Sequence, residues 1–269
     1  MLTAYEASDG VLIKRDGLSA VTPATVWVDL FNPTLDEDHL VEQALGIPVP
    51  TREEMAEIEA SSRLYHEGGA HVMTAIVLTQ ADKETDPPIA TPVTFILAGS
   101  RLVTVRYVEP RAFPMFLARV QKKDVGCMTG TAVLVGLLEA VIDRAADRVE
   151  RIQGEVDKLS QTIFGGRGPD RTRTRTRRFD VNIRTIGYEG ELTSRSRESL
   201  LSIDRLLTYL AHVLSERGDD KALRARIKTA GRDVQSLADH IGYLSTKITF
   251  LLDATLGLIF TRLGAFSRL

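Results

Sequence analysis

The stretch Lys247–Phe260, KITFLLDATLGLIF, decides how the fold of this chain is interpreted. Its apolar run, from Ile248 to Phe260, is 13 residues long and includes one carboxylate, Asp253. A helix needs about 20 apolar residues to cross a bilayer, so the run resembles the approach to a membrane and is too short to span one. Membrane contact is expected only through a transmembrane part that this run does not supply.

The run closes a long heptad repeat. Such a repeat is typical of long helices that pack side by side as in a coiled coil. It predicts a third long helix over about residues 219–260, here called the stalk helix, with Asp253 at position f, opposite the apolar seam. The seam recurs in steps of four and three at Leu223, Ile227, Ala230, Val234, Leu237, Ile241, Leu244, Ile248, Leu251, Thr255 and Leu258.

Two more helical runs precede the stalk helix. In residues 134–163 the apolar side chains step by three or four over about nine helical turns. A second run covers residues 172–214 and is weakened in its middle by Gly187 and Gly190. We therefore predict a long-helix domain over residues 129–269 that ends in the stalk helix.

The N-terminal part, called the head below, has a different pattern. Two segments after Pro33 and Pro50 predict helices, the second short and with Thr51 as its N-cap. Four segments rich in β-branched and aromatic residues predict strands: Val26–Phe31, Ala70–Thr79, Thr91–Gly99 and Arg101–Val108. The predicted fold class is α+β, an N-terminal α/β/α domain with a mixed sheet over residues 1–128, followed by three long helices with coiled-coil-like packing.

Charge is distributed unevenly along the chain. The total of 34 Lys and Arg against 36 Asp and Glu gives a net charge of −2, which offers no argument for nucleic acid as a partner. Residues 1–70 hold 13 acidic and 4 basic side chains, so the head is acidic. The single cysteine, Cys127, fits a reducing compartment, and the N-terminus lacks a secretory signal. A cytoplasmic location is predicted.

Catalytic chemistry has no support in the sequence. No nucleophile elbow, Walker loop or dinucleotide-binding fingerprint occurs. The chain is predicted not to be an enzyme. The histidines are expected to be surface or packing residues, because none has the spacing of a catalytic zinc site: His39, His66, His71, His212 and His240.

Carboxylates concentrate in two places. Glu53 and Glu54 begin the second predicted helix, where acids ordinarily offset the exposed N–H groups and the helix dipole. Glu139 and Asp143 lie one turn apart on the first long helix, and Asp233 lies on the stalk helix. If these surfaces meet, the carboxylates could hold a hard cation such as magnesium. The structural and the metal-binding interpretations both stay open at this point.

The order of these parts resembles the cytoplasmic part of the CorA family of divalent-cation transporters. KITFLLDATLGLI is similar to the segment in which the stalk helix of that family enters its first transmembrane span. Residues 27–55, WVDLFNPTLDEDHLVEQALGIPVPTREEM, fit its early strand-helix-helix pattern. The family continues after this point with a Gly-Met-Asn pore motif, whereas this sequence has FTRLGAFSRL after Ile259. The resemblance therefore implies a transporter's cytoplasmic part, truncated where the first transmembrane helix begins and lacking the pore.

The resemblance also implies a homopentamer that carries and senses magnesium, or zinc in a related branch, through acidic residues between neighbouring subunits. A full-length relative is expected in the inner or plasma membrane. The acidic residue near the cytoplasmic pore mouth falls on Asp253. The sensing carboxylates fall on Glu53, Glu54, Glu139 or Asp143, and Asp233.

A soluble structural or regulatory helical bundle without a metal role is the alternative, because the heptads alone fit it equally well. Two observations distinguish these functions. One is the KITFLLDATLGLI match, and the other is whether divalent cations change the oligomeric state of the protein.

Overall fold

The computed structural model describes residues 1–8, 11–16, 21–79, 88–122, 129–165, 172–218 and 220–266, so Cys127 lies outside the described residues. The chain divides into two compact units. Unit 1 combines Met1–Arg144 with Ser199–Gln235, and unit 2 combines Ala145–Glu198 with Ser236–Leu269. The division into domains 1–128 and 129–269 stays a prediction.

Unit 1 contains a mixed sheet of seven strands. They are β1 (Leu2–Ser8), β2 (Val11–Asp16), β3 (Thr25–Phe31), β4 (Leu64–Glu67), β5 (Ala70–Thr79), β6 (Ile89–Ala98) and β7 (Arg101–Arg106). Their order in the sheet is β2-β1-β3-β7-β6-β5-β4. Neighbours are antiparallel except β3 and β7, which are parallel. The four predicted strands are confirmed as β3, β5, β6 and β7, and the other three were not predicted.

One face of the sheet packs on the two helices predicted in the head, α1 (Leu35–Leu45) and α2 (Arg52–Met55). Each begins with a capping box, formed by Thr34 in α1 and by the predicted cap Thr51 in α2, which satisfies N–H groups that a helix start leaves free. Val41 of α1 and Met55 of α2 join alternate strand residues in one buried cluster: Leu2, Ala4, Val28, Leu30, Val72, Ile96, Val103 and Val105.

The opposite face packs on a helix that was not predicted. A single turn, α3 (Ala60–Arg63), leads into β4, and α4 (Ala112–Val120) follows β7. The fully buried ring of Trp27 lies 6.3 Å from that of Phe113 and 6.0 Å from that of Phe116, between ring centroids. Helices therefore cover both faces, and the predicted α/β/α arrangement is confirmed.

Three long helices complete the fold, as predicted: α5 (Gly130–Phe164), α6 (Thr172–Glu216) and α7 (Lys221–Phe266), the stalk helix. Gly187 and Gly190 do not interrupt α6, because a glycine lowers helix propensity by only about 1 kcal/mol and packing supplies more. In unit 1, Ser199 and Ser202 of α6 bond the carbonyl and the N–H of Ile76, on the part of β5 that β4 does not pair with.

Within unit 2, α5 and α7 run parallel. Gln153 Oε1 lies 2.9 Å from His240 Nε2, Lys247 pairs with Asp157, and the ring of Phe164 stacks on that of Phe250. Along these three contacts the residue numbers rise in both helices, which shows that the helices are parallel. The seam behaves as predicted for a coiled coil, since Ile241, Leu244, Ile248, Leu251 and Thr255 are all buried.

Gly130, the first residue of α5, lies against the backbone at the start of β7. Its N–H donates to the Ser100 carbonyl at 2.7 Å, and an added Cβ would lie 2.4 Å from the backbone N of Leu102. We expect Gly130→Ala to lower the free energy of unfolding by about 1–3 kcal/mol, because the backbone must shift to admit a methyl group. Urea denaturation measures this loss.

Gly154→Ala on the same helix is the matched control for this substitution. Among the described residues, no atom outside the local helix backbone lies within 4 Å of a Cβ added there, so alanine should stabilise the protein by up to about 1 kcal/mol through helix propensity. Equal effects of the two substitutions would contradict the close approach at Gly130.

Candidate functional site

The carboxylates Glu53 and Glu54 lie on α2, at the surface of unit 1, and both are exposed. Met55, which is 1% exposed, anchors this short helix to the core. Glu54 Oε2 accepts hydrogen bonds from the N–H and the hydroxyl of Thr51, at 2.7 and 3.0 Å. Glu54 therefore caps its own helix, whereas the Glu53 carboxylate makes no hydrogen bond or ion pair with another described residue.

Three predicted carboxylates of the long helices share one pocket in unit 1. The pocket has a volume of about 400 Å³. Glu139 and Asp143 reach it from α5, and Asp233 reaches it from α7. Glu139 and Asp143 lie one turn apart on the same face of α5, and that face meets the part of α7 that carries Asp233.

Two arginines lie in the same pocket. Arg226 of α7 grips Glu139 with both ends of its guanidinium, at 2.7 Å from Nε to Oε1 and 2.6 Å from Nη2 to Oε2. Arg119 of α4 donates to Asp143 Oδ2 at 2.9 Å. The two-bond contact between Arg226 and Glu139 is the stronger, bidentate form of a charge-assisted hydrogen bond. In the single chain the pocket therefore holds an ion-pair network. A cation that enters it would have to displace a guanidinium from Glu139 or Asp143, or bind at Asp233.

The structure does not join the two groups of predicted carboxylates into one ligand set. Over the described ranges, no three His, Cys, Asp or Glu side chains are placed to hold one ion together. Magnesium takes six oxygen ligands in near-octahedral geometry and keeps several waters, so one or two protein carboxylates can suffice to hold it.

Asp253 lies on α7 in unit 2 and is exposed, next to the buried seam residues Leu251 and Thr255. Thr246 and Asp239, the preceding residues at heptad position f, are exposed as well. The predicted polar stripe opposite the seam is therefore confirmed. A carboxylate on such a stripe keeps its hydration and attracts cations from solution.

Sequence reasoning missed three sets of titratable groups. A buried ion pair joins Asp29 of β3 to Arg106 of β7, and a buried carboxylate, Glu189, lies within α6. His66 and His71 face each other across a hairpin. The ion pair could have been predicted, because Asp29 and Arg106 are charged residues within otherwise apolar strands. The histidine pair could not, because β4 was not predicted and the two histidines are five positions apart in the sequence.

Among the described residues, the segment Lys221–Thr261 of α7 is long and apolar enough to cross a membrane by length and composition, although the continuous apolar run within it, Ile248–Phe260, is shorter than a span. A single segment of this kind is weak evidence for a membrane span, since the core helix of a soluble protein passes the same test. Only 22% of its most apolar window is buried within the structure.

Known proteins match this chain along most of its length. A family model described as "CorA-like Mg2+ transporter protein" matches residues 23–267. The magnesium transport protein CorA of Pectobacterium atrosepticum is 30% identical over 262 residues, which cover 96% of this chain and 78% of that protein. The protein of the same name from Haemophilus influenzae is 27% identical over 260 residues, with the same coverage of each chain.

Solved structures share the fold. The complete CorA magnesium transporter of Methanocaldococcus jannaschii superposes with a TM-score of 0.76 at 14% identity, covering 99% of this chain and 80% of that one. The soluble domain of the same transporter gives 0.71 at 15% identity, covering 96% and 97%. The cytoplasmic domain of ZntB from Vibrio parahaemolyticus gives 0.69 at 10% identity, covering 96% and 98%.

The mixed sheet with three long helices is thus the fold of the soluble domain of a CorA magnesium transporter. This chain belongs to the CorA-like Mg2+ transporter family. The family is described by transport rather than by enzymatic catalysis.

Proposed function

We propose that this chain forms the cytoplasmic, metal-sensing and gating part of a CorA-like transporter of magnesium or another divalent cation. The observation that carries the proposal is the family match over residues 23–267. The fold supports it, because the soluble domain of a CorA transporter and this chain cover each other almost completely. The chain works in the cytoplasm as a homo-oligomer, with five subunits as the resemblance implies, and does not bind nucleic acid.

The sensing site is completed between subunits. Glu53 presents an exposed carboxylate that no other described residue of its own chain engages, and Asp233 is an exposed carboxylate that lines the pocket. Carboxylates from two copies that approach each other repel, so a hard cation between them stabilises the closed assembly and its loss loosens it. Glu54 assists as a capping residue that holds α2, and the ring of Asp253 carboxylates draws cations toward the assembly axis.

We expect magnesium to raise the melting temperature of the full chain above its value in sodium chloride of equal ionic strength. A ligand present at about 100 times its dissociation constant stabilises the bound form by about 2.7 kcal/mol. Glu53→Gln should remove most of this shift. Glu59→Gln, also at an exposed carboxylate of the head, is the matched control and should keep the shift.

Sedimentation of the same samples tests the assembly. Magnesium should increase the fraction of oligomer for the unchanged chain and for Glu59→Gln, and leave Glu53→Gln less associated. The same melting temperature and mass in both salts would count against metal sensing. That outcome would favour the alternative of a helical bundle without a metal role, in which Arg119 and Arg226 are the permanent counter-ions of the pocket acids.

A further inference from the structure

The hairpin between β4 and β5 brings two histidines directly opposite each other. Its turn consists of Gly68 and Gly69, with φ of 57° and 79°. A two-residue turn of this type requires positive φ at both positions, which glycine adopts without strain. The strand register pairs His66 with His71, so both side chains stand on the same face of the sheet.

The distance between the two imidazoles suits chelation of one metal ion. Their ring centroids are 4.6 Å apart, with planes inclined by 50°. A transition-metal ion lies about 2.1 Å from a ligating imidazole nitrogen, and so about 3 Å from the ring centroid. Two rings that bind one ion at about a right angle therefore have centroids about 4.5 Å apart. The ring separation in the structure therefore matches that of such a chelate.

Tyr209 of α6 orients one of the rings. Its hydroxyl lies 3.1 Å from His71 Nδ1, and the two rings meet edge to face at 5.9 Å. When Nδ1–H donates to the tyrosine oxygen, the lone pair of the imidazole is on Nε2. A hydrogen bond of this kind on the far nitrogen is the usual support of a metal-binding histidine.

We propose that His66 and His71 form a two-histidine chelate for a first-row transition-metal dication, with water completing its coordination. Imidazole nitrogen suits zinc, nickel and copper, whereas magnesium takes oxygen ligands. The site is separate from the carboxylates of the proposed magnesium response, and its failure would leave that response intact. Tyr209 is a positioning residue.

The test is calorimetric titration of the full chain with nickel chloride in excess magnesium, after treatment with a chelator. We expect one ion per chain. Tyr209→Phe removes a supporting contact and should weaken nickel binding roughly 10- to 100-fold. His66→Ala and His71→Ala each remove a ligand and should weaken it by more than that. His39→Ala, an exposed histidine of α1 with its own carboxylate neighbour, is the matched control and should bind as the unchanged chain does.

Circular dichroism establishes that each variant is folded, and His66→Ala is the decisive one because that side chain is exposed. Nickel affinity that is the same in His66→Ala as in His39→Ala would overturn the proposal. So would the absence of nickel binding to the unchanged chain. A Tyr209→Phe variant with full affinity would overturn the positioning role.

Discussion

Asp29→Ala should lower the free energy of unfolding by about 3–5 kcal/mol, because it removes the buried counter-ion of the Arg106 guanidinium and leaves only the exposed Glu109 carboxylate, 3.9 Å away. Asp29 and Arg106 are each 5% exposed. Arg106 donates to both carboxylate oxygens of Asp29, at 3.0 and 2.8 Å, and Thr104 donates to Oδ1 at 2.7 Å. The indole N–H of Trp27 in turn donates to Thr104 at 2.9 Å, so the ion pair belongs to a polar network inside the sheet.

The measurement is urea denaturation of the full chain at neutral pH. Glu191→Ala is the matched control, because it removes a carboxylate from an ion pair at the surface, Arg195–Glu191, where the carboxylate is 56% exposed. Such pairs contribute about 0.2–1 kcal/mol. A double replacement, Asp29→Leu with Arg106→Met, should recover much of the loss, since neither charge is then left alone. Similar losses for Asp29→Ala and Glu191→Ala would show that the pair is not buried in solution.

The strands that were predicted from the sequence are those whose residues have a strong preference for β-structure. Val26–Phe31 and Arg101–Val108 are β-branched and apolar, because β3 and β7 lie inside the sheet with both faces covered. The strands that were missed are β1, β2 and β4, at or near the edges. LTAYEAS of β1 and LYHE of β4 mix polar and apolar residues, and they form strands because a neighbour supplies their hydrogen bonds.

The long helices were predictable for a physical reason of their own. A seam that must stay buried over many turns fixes a residue every three or four positions, and that period is visible without any structure. The weak point in the pattern around Gly187 and Gly190 did not end α6, because tertiary packing outweighs the propensity of single residues.

The candidate site was predictable in its residue types and not in its pairings. The sequence showed that Glu139, Asp143 and Asp233 are acids on helices that could meet. It did not show Arg119 and Arg226 beside them, because a long side chain finds its partner through the packing of three separate helices. The cross-strand pair of His66 and His71 depends in the same way on the register of an edge hairpin.

Glu189→Gln should stabilise the protein by about 3 kcal/mol at pH 8, the second large effect that the structure predicts. Glu189 is 5% exposed, and its Oε2 is buried without a hydrogen-bond partner among the described residues. Burial, and then the charge of Glu155 on α5, raise the pKa of this carboxyl from 4.5 to about 7.

The pH dependence follows from the direction of that shift. Between about pH 4.5 and pH 7 the folded state holds a proton on Glu189 that the unfolded state releases, so stability falls as the pH rises through this window. A pKa difference from 4.5 to about 7 corresponds to about 3 kcal/mol, all of it lost above pH 7. Glutamine resembles the protonated acid in shape and carries no charge. The Glu189→Gln protein should therefore lack the decline in stability that the titration of Glu189 causes over this window.

Denaturation curves from pH 4 to pH 8 for the unchanged chain and for Glu189→Gln therefore give the decisive comparison. The two should have similar stability at pH 4 and separate progressively as the pH rises. Glu191→Gln, two residues away at an exposed carboxylate, should follow the unchanged chain to within about 1 kcal/mol at every pH. A constant difference between Glu189→Gln and the unchanged chain would mean that Glu189 does not titrate in this window. Stability that rises with pH in the unchanged chain alone would mean that its carboxylate finds a cationic partner in solution.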